Sequence, residues 1–182
     1  PVGKGVTVPE EGLRLLFSAG GVGVAPLHFL LKQRFHGKCV CPAGQRIFYL
    51  GARNDALLLG REQLREACDL RICTDDGSAG FHGTVTERLK REIAQWDPDR
   101  TVIFACGPAA MIRSLGELLR NSPIPCQVSV EERMACGLGA CLGCAVEVRG
   151  REGEKSYVRV CREGPVFDLG EILTGADASH GE

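Results

Sequence analysis

Four cysteines fall as Cys136-x4-Cys141-x2-Cys144-x16-Cys161. A C-x4-C-x2-C run followed by a distant fourth cysteine is the plant-type spacing for a two-iron, two-sulfide cluster. Three thiolates on one loop can wrap a compact cluster, and a fourth from a returning strand closes the site with cysteine ligation alone. Gly137, Gly139 and Gly143 suit that task, because backbone without side chains lets amides approach the cluster sulfides. A structural zinc ion is the competing occupant of four thiolates, but zinc sites favour two C-x2-C pairs, whereas here one such pair is joined to a cysteine five residues upstream. The spacing therefore predicts a [2Fe-2S] cluster on Cys136, Cys141, Cys144 and Cys161. The other six cysteines, Cys39, Cys41, Cys68, Cys73, Cys106 and Cys126, read mostly as small buried hydrophobes, and the short Cys39-x-Cys41 pair is assigned no ligand role.

A second candidate site begins at Gly20-Gly21-Val22-Gly23. Between a strand and a helix, such a loop presents free N–H groups and a positive helix end where a pyrophosphate can bind. Alone the signal is weak, since it lacks the full G-x-G-x-x-G pattern and a tight turn would use the same residues. It gains weight from Gly51-Ala52-Arg53-Asn54, Thr74-Asp75-Asp76-Gly77 and Cys106-Gly107-Pro108, which would end neighbouring strands on the same edge. Asp75 and Asp76 could accept hydrogen bonds from ribose hydroxyls and repel a 2′-phosphate, which tilts the choice to NAD over NADP. Arg53 pulls the other way, and Asp-Asp-Gly is also ordinary turn chemistry. The candidate nucleotide-binding residues are Gly20, Gly21, Gly23, Arg53, Asp75, Asp76, Cys106, Gly107 and Pro108. His28, His36, His82 and His180 show no partner pattern, and no acid–base catalyst is expected.

The elements that must position these residues alternate strand and helix, the pattern of a parallel α/β sheet. Five strands are predicted, at Arg14 to Ser18, Ile47 to Gly51, Leu70 to Thr74, Val102 to Cys106 and Cys126 to Val130. Helices are predicted after the glycine loop, near Arg61 to Ala67, from Val85 to Trp96, and from Ala109 to Asn121. Beyond Glu131 the chain turns to Gly and Cys, with a hairpin expected between Ala145 to Val148 and Tyr157 to Val160. That is too little chain for a core of its own and calls for a metal staple. The division expected is a linker at 1–10, a doubly wound five-stranded α/β domain at 11–130, and a small cluster domain with its tail at 131–182.

The chain has 182 residues, with 22 basic and 23 acidic side chains and a net charge of −1. That balance offers no electrostatic footprint for nucleic acid. No run approaches the roughly 20 apolar residues of a membrane span, and the start at Pro1 carries neither a secretion signal nor a Met, as expected of a processed or excised piece. Ten cysteines without a signal point to a reducing, cytoplasmic setting.

The stretches Gly20 to Leu27, Thr74-Asp75-Asp76-Gly77-Ser78 and Ala105-Cys106-Gly107-Pro108 share a pattern with a known family. So do Glu131-Glu132-Arg133-Met134-Ala135-Cys136 running on to Cys141, and Val160-Cys161-Arg162-Glu163-Gly164-Pro165-Val166-Phe167. Together they resemble the electron-transfer subunits of type B dihydroorotate dehydrogenases, within the ferredoxin-reductase-like flavoproteins, over essentially the whole chain. The resemblance implies an FAD-binding β-barrel, an NAD-binding α/β domain and a C-terminal [2Fe-2S] domain. It also implies a hetero-oligomer, with electrons passing between NAD(H), FAD, the cluster and an FMN-containing catalytic subunit of pyrimidine biosynthesis. By the resemblance Gly21 and Gly23 approach the pyrophosphate, Asp75 and Asp76 lie near the adenosine, Cys106 to Pro108 lie near the nicotinamide, and the four cysteines ligate iron. FAD is expected only with the barrel, which would precede Gly3-Lys4-Gly5. Without flavin, a two-electron hydride donor and a one-electron cluster have no intermediary, so the piece is expected to bind but not turn over alone. One rival shares the layout, the flavin subunit of an NADPH-dependent ferredoxin or sulfide reductase; another, from a different class, is a non-catalytic interaction module in which zinc staples the tail and the α/β domain is vestigial.

Overall fold

The computed structural model describes residues 3–7, 12–35, 45–149 and 154–172; His36, Cys39, Cys41 and His180 lie outside them. Strands β1 (Arg14–Gly20), β2 (Arg46–Ala52), β3 (Asp69–Thr74), β5 (Thr101–Cys106) and β6 (Cys126–Ser129) are the five expected ones. All five run parallel. Two further strands extend the sheet to seven in the order β4-β3-β2-β1-β5-β6-β9. These are β4 (Phe81–His82), parallel to β3, and β9 (Val166–Asp168), antiparallel to β6.

Side-chain alternation along β1 explains the double winding. Leu15, Phe17 and Ala19 face helices α1 (Val24–Phe35) and α2 (Arg61–Ala67), whereas Leu16 faces α3 (Val85–Glu92) and α4 (Ala109–Leu119). Every one of these β1 side chains is fully buried, as a strand covered on both faces requires. The parallel register brings Phe48, Phe17 and Phe104 side by side on β2, β1 and β5, with neighbouring ring centroids 5.5 Å apart. Helix α3 starts on a capping box, Thr84 Oγ1 accepting from the Glu87 amide at 3.2 Å while Glu87 Oε2 accepts from the Thr84 amide at 2.7 Å. Such a cap is worth about 1 kcal/mol.

The tail forms the expected hairpin, β7 (Ala145–Arg149) with β8 (Lys155–Arg159), antiparallel. Its buried core is Cys144, Val160, Cys161 and Phe167. Strand β9 then returns to pair with β6, so the large sheet draws its last strand from the 131–182 segment. The front of the chain packs here too: the Lys4 amide donates to the Gly164 carbonyl, and Thr7 exchanges hydrogen bonds with the Gln127 side chain at 2.8 and 2.9 Å. Among the described residues no helix is long and apolar enough to cross a membrane.

Candidate redox centre and nucleotide cleft

The four tail cysteines come as two pairs. Cys136 neighbours Cys141 and Cys161 neighbours Cys144, with Cys136 acting on Cys161 at longer range. Backbone amides aim at the sulfurs throughout the loop. The Leu138 amide lies 3.4 Å from Cys136 Sγ, the Gly143 amide 3.4 Å from Cys141 Sγ, and the Cys161 amide 3.4 Å from Cys144 Sγ. At Cys136 the amide of Leu138, with those of Cys141 and Ala140, holds the thiol down to about 6. Cys161 is pushed up, first by sharing a hydrogen bond with Cys144 and then by burial, while the Gly139 amide pulls it down. Left-handed backbone at Gly139 and, without the usual glycine, at Leu142 (φ 60°) turns these amides inward. Thiols that already accept several N–H groups are prepared to be thiolates, the form that binds metal.

Among the described residues no three side chains of metal-binding type converge on a single point. Two thiol pairs on one loop and its returning strand fit a two-iron cluster, with one pair per iron, better than one tetrahedral ion.

The nucleotide candidates gather at the carboxyl edge of the parallel strands, where β1 leads to β2 on one side and lies beside β5 on the other. Ligands sit at that reversal in open α/β sheets. A cleft of about 400 Å³ opens there on the α3/α4 face, lined by Gly20, Gly21, Arg53, Asp75 and Pro108 from the sequence-derived set. It is completed by Leu57, Thr84, Thr86, Met111 and Ser114, which no sequence motif marks; only the Thr84 cap had a readable signal. A larger depression of about 800 Å³ lies at the opposite end of β6 and holds none of the candidate residues.

The remaining candidates do not line the cleft. Gly23 is buried, and a Cβ there would sit on the carbonyl of Cys106, so glycine at 23 is required by packing of the helix start on β5. Asp76 is held by its own turn, accepting from the Ser78 amide at 2.9 Å and hydroxyl at 2.6 Å, and those bonds lower its carboxyl. Cys106 is buried, its thiol pushed up to about 12 by burial and by the nearby Glu131 carboxylate, which accepts from it at 3.8 Å. Gly107 packs against Met111 and the Gly20 amide. Cys68, Cys73 and Cys126 are buried thiols raised by desolvation, in keeping with their reading as hydrophobes.

The chain belongs to the oxidoreductase NAD-binding domain family, whose model matches residues 17–116. Residues 131–173 match the iron-sulfur cluster binding domain of dihydroorotate dehydrogenase B. The chain is 40% identical over 174 residues to the electron transfer subunit of dihydroorotate dehydrogenase B (NAD(+)) from Desulforamulus reducens, covering 95% of this chain and 63% of that one. It is 39% identical over 173 residues to the corresponding subunit of Caldanaerobacter subterraneus subsp. tengcongensis, covering 95% and 64%. It thus spans a little under two-thirds of these relatives' length. Among solved structures, an NADH-dependent reduced ferredoxin-NADP oxidoreductase superposes with a TM-score of 0.76 at 28% identity, over 94% of this chain and 58% of that one. The iron–sulfur and NAD(H) expectations stand on these matches.

Proposed function

We propose that this chain is the nucleotide-binding and cluster-carrying portion of an electron-transfer subunit serving a dihydroorotate dehydrogenase. NAD(H) occupies the cleft at the β1/β5 reversal, with Gly20, Gly21 and Pro108 at its phosphate and nicotinamide end and Arg53 and Asp75 toward the adenosine. Cys136 and Cys141 hold one iron and Cys144 and Cys161 the other. The cluster, when bound, supplies a one-electron carrier. The chain's own part is to fix the sulfurs, aim amides at them and exclude water from Cys144 and Cys161, both buried. A hydride carries two electrons, so an FAD held by a preceding barrel domain stands between the nucleotide and the cluster. The electron acceptor is an FMN-bearing catalytic subunit, in a cytoplasmic hetero-oligomer. The observation that carries the reading is the pairing of four thiols under converging amides.

Anaerobic reconstitution tests it. Iron and acid-labile sulfide are expected in equal amounts, with a paramagnetic signal on reduction, and Cys144→Ser is expected to lose both. A polypeptide that takes up only colourless zinc would overturn the reading and favour the interaction module. The likeness to the ferredoxin-NADP oxidoreductase supports a second reading, a ferredoxin-linked reductase. The two separate by whether the full-length subunit reduces ferredoxin or supports orotate reduction with a dihydroorotate dehydrogenase catalytic subunit.

A further inference from the structure

The cysteine loop is gripped from outside by one cation. Arg159 ends β8, in register with Ala145, the residue after Cys144. Its Nε and Nη2 donate to Glu163 at 3.0 and 2.5 Å, and the Arg159 amide donates to the same carboxylate at 2.7 Å. With the Nε–Nη2 edge of the planar guanidinium taken, Nη1 is aimed in a fixed direction. It donates to the Gly139 carbonyl at 2.6 Å. Arg159 and Glu163 keep only 26% and 34% of their side-chain surface exposed, so solvent screens this contact less than an ordinary surface pair.

The Gly139 carbonyl is half of a trans peptide, and across a trans peptide the C=O and N–H point in opposite directions. The other half is the Ala140 N–H, turned to the side away from Arg159, where it is one of the amides around Cys136. Gly139 itself, at φ +80°, sends its own N–H toward Cys161 while its carbonyl faces the hairpin, and the Arg162 side chain occupies the space a Cβ would need. A cation on the carbonyl thus polarises the peptide and fixes its N–H on a sulfur.

We infer that Arg159, aimed by Glu163, is a positioning residue that raises the reduction potential of the cluster through the Gly139–Ala140 peptide. The inference rests on the reading of the four cysteines as cluster ligands. Reduction adds one electron, supplied in the titration by dithionite, with no bond made or broken. The added negative charge is stabilised by an N–H held on a ligand sulfur more than the oxidised state is. A charge-assisted hydrogen bond of ordinary strength corresponds to about a tenfold change in the ratio of reduced to oxidised protein. Arg159 also lies close enough to Cys144 and Cys161 to attract their charge directly, so charge and positioning must be told apart.

The experiment is a redox titration of the reconstituted protein followed by paramagnetic resonance, for the parent chain, Arg159→Met and Arg159→Lys. Iron and sulfide are assayed alongside, and the deuterium coupling of the Ala140 amide is measured in the reduced state. At the potential where the parent is half reduced, Arg159→Met is expected to show about tenfold less reduced than oxidised protein. Arg159→Lys keeps the charge and loses the fork, and is expected to shift the same way by a smaller factor; both variants lose the amide coupling at full iron content. Superimposable titrations, or coupling retained in both variants, would overturn the role. So would a lysine variant identical to the parent, which would assign the effect to charge alone, and so would loss of the cluster from both variants. If only Arg159→Met fails to hold a cluster, Arg159→Lys decides by the same readouts. Cys144→Ser that keeps its iron and signal would instead sink the ligand reading, whatever Arg159 does.

Discussion

At Gly20-Gly21-Val22-Gly23 the glycines do two different jobs. Gly21 adopts φ +56°, and a Cβ there would meet open space beside the cleft; Gly23 would drive a Cβ into the backbone of Cys106 and Gly107, which cannot swing aside. Gly23→Ala is therefore expected to lose about 3 kcal/mol or more of stability by overpacking. Gly21→Ala should lose about 1 kcal/mol through left-handed strain and chiefly weaken NADH binding. Chemical denaturation with calorimetric NADH titration of each separates the two; a Gly23→Ala protein of parent stability with weakened binding would return position 23 to the phosphate. Glycine spacing marked the loop but could not say which glycine serves the chain and which the ligand, because that depends on what lies across the sheet. The same holds for Asp75 and Asp76: adjacent in sequence, one lines the cleft and the other closes its own turn. Left-handed Leu142 had no signal in its residue type.

Beneath α3 the sheet carries a polar knot that periodicity does not announce. Tyr49 on β2 donates to Glu92 Oε2 at 2.6 Å, Arg88 donates to Glu92 Oε1 at 2.5 Å, and Arg71 on β3 pairs with the same carboxylate. Burial pushes the Glu92 carboxyl up, but the Tyr49 hydrogen bond and the two arginines outweigh it and hold it below its usual value of 4.5. Glu92→Gln takes the carboxylate from Arg88, while Arg71 keeps Asp69 at 3.0 Å, and is expected to cost about 2 kcal/mol, less than a fully buried pair because Arg88 remains partly wet. A carboxyl depressed in the folded state stabilises above its unfolded value and stops doing so as pH falls through the folded one. The gap between parent and variant should thus be constant near neutrality and shrink below pH 4.5 in denaturation curves; a gap independent of pH would remove Glu92 from the knot. Strands β1, β2 and β5 were legible because each is a mostly apolar run buried along nearly its whole length. The added strands β4 and β9 were not, since two or three residues carry no period and their pairing is decided by what they land on.

Over the whole molecule, stability is divided unevenly. The sheet is covered by two apolar layers drawn from four helices, whereas among the described residues the tail's buried cluster is four residues, two of them the cysteines Cys144 and Cys161. A segment so poor in apolar burial leans on its metal, and binding free energy becomes folding free energy there. It is tied to the sheet by β9, whose Phe167 sits opposite Val128 of β6. Chelation of the iron under reducing conditions is therefore expected to raise amide hydrogen exchange across 134–148 and 155–163 while β1, β2 and β5 stay protected. Strand β9 should show an intermediate response, because its ladder to β6 survives but the hairpin above it has loosened. If β1 and β5 lost protection together with the cysteine loop, the tail and the sheet would form one cooperative unit, and the cluster would hold up the nucleotide cleft as well as its own loop.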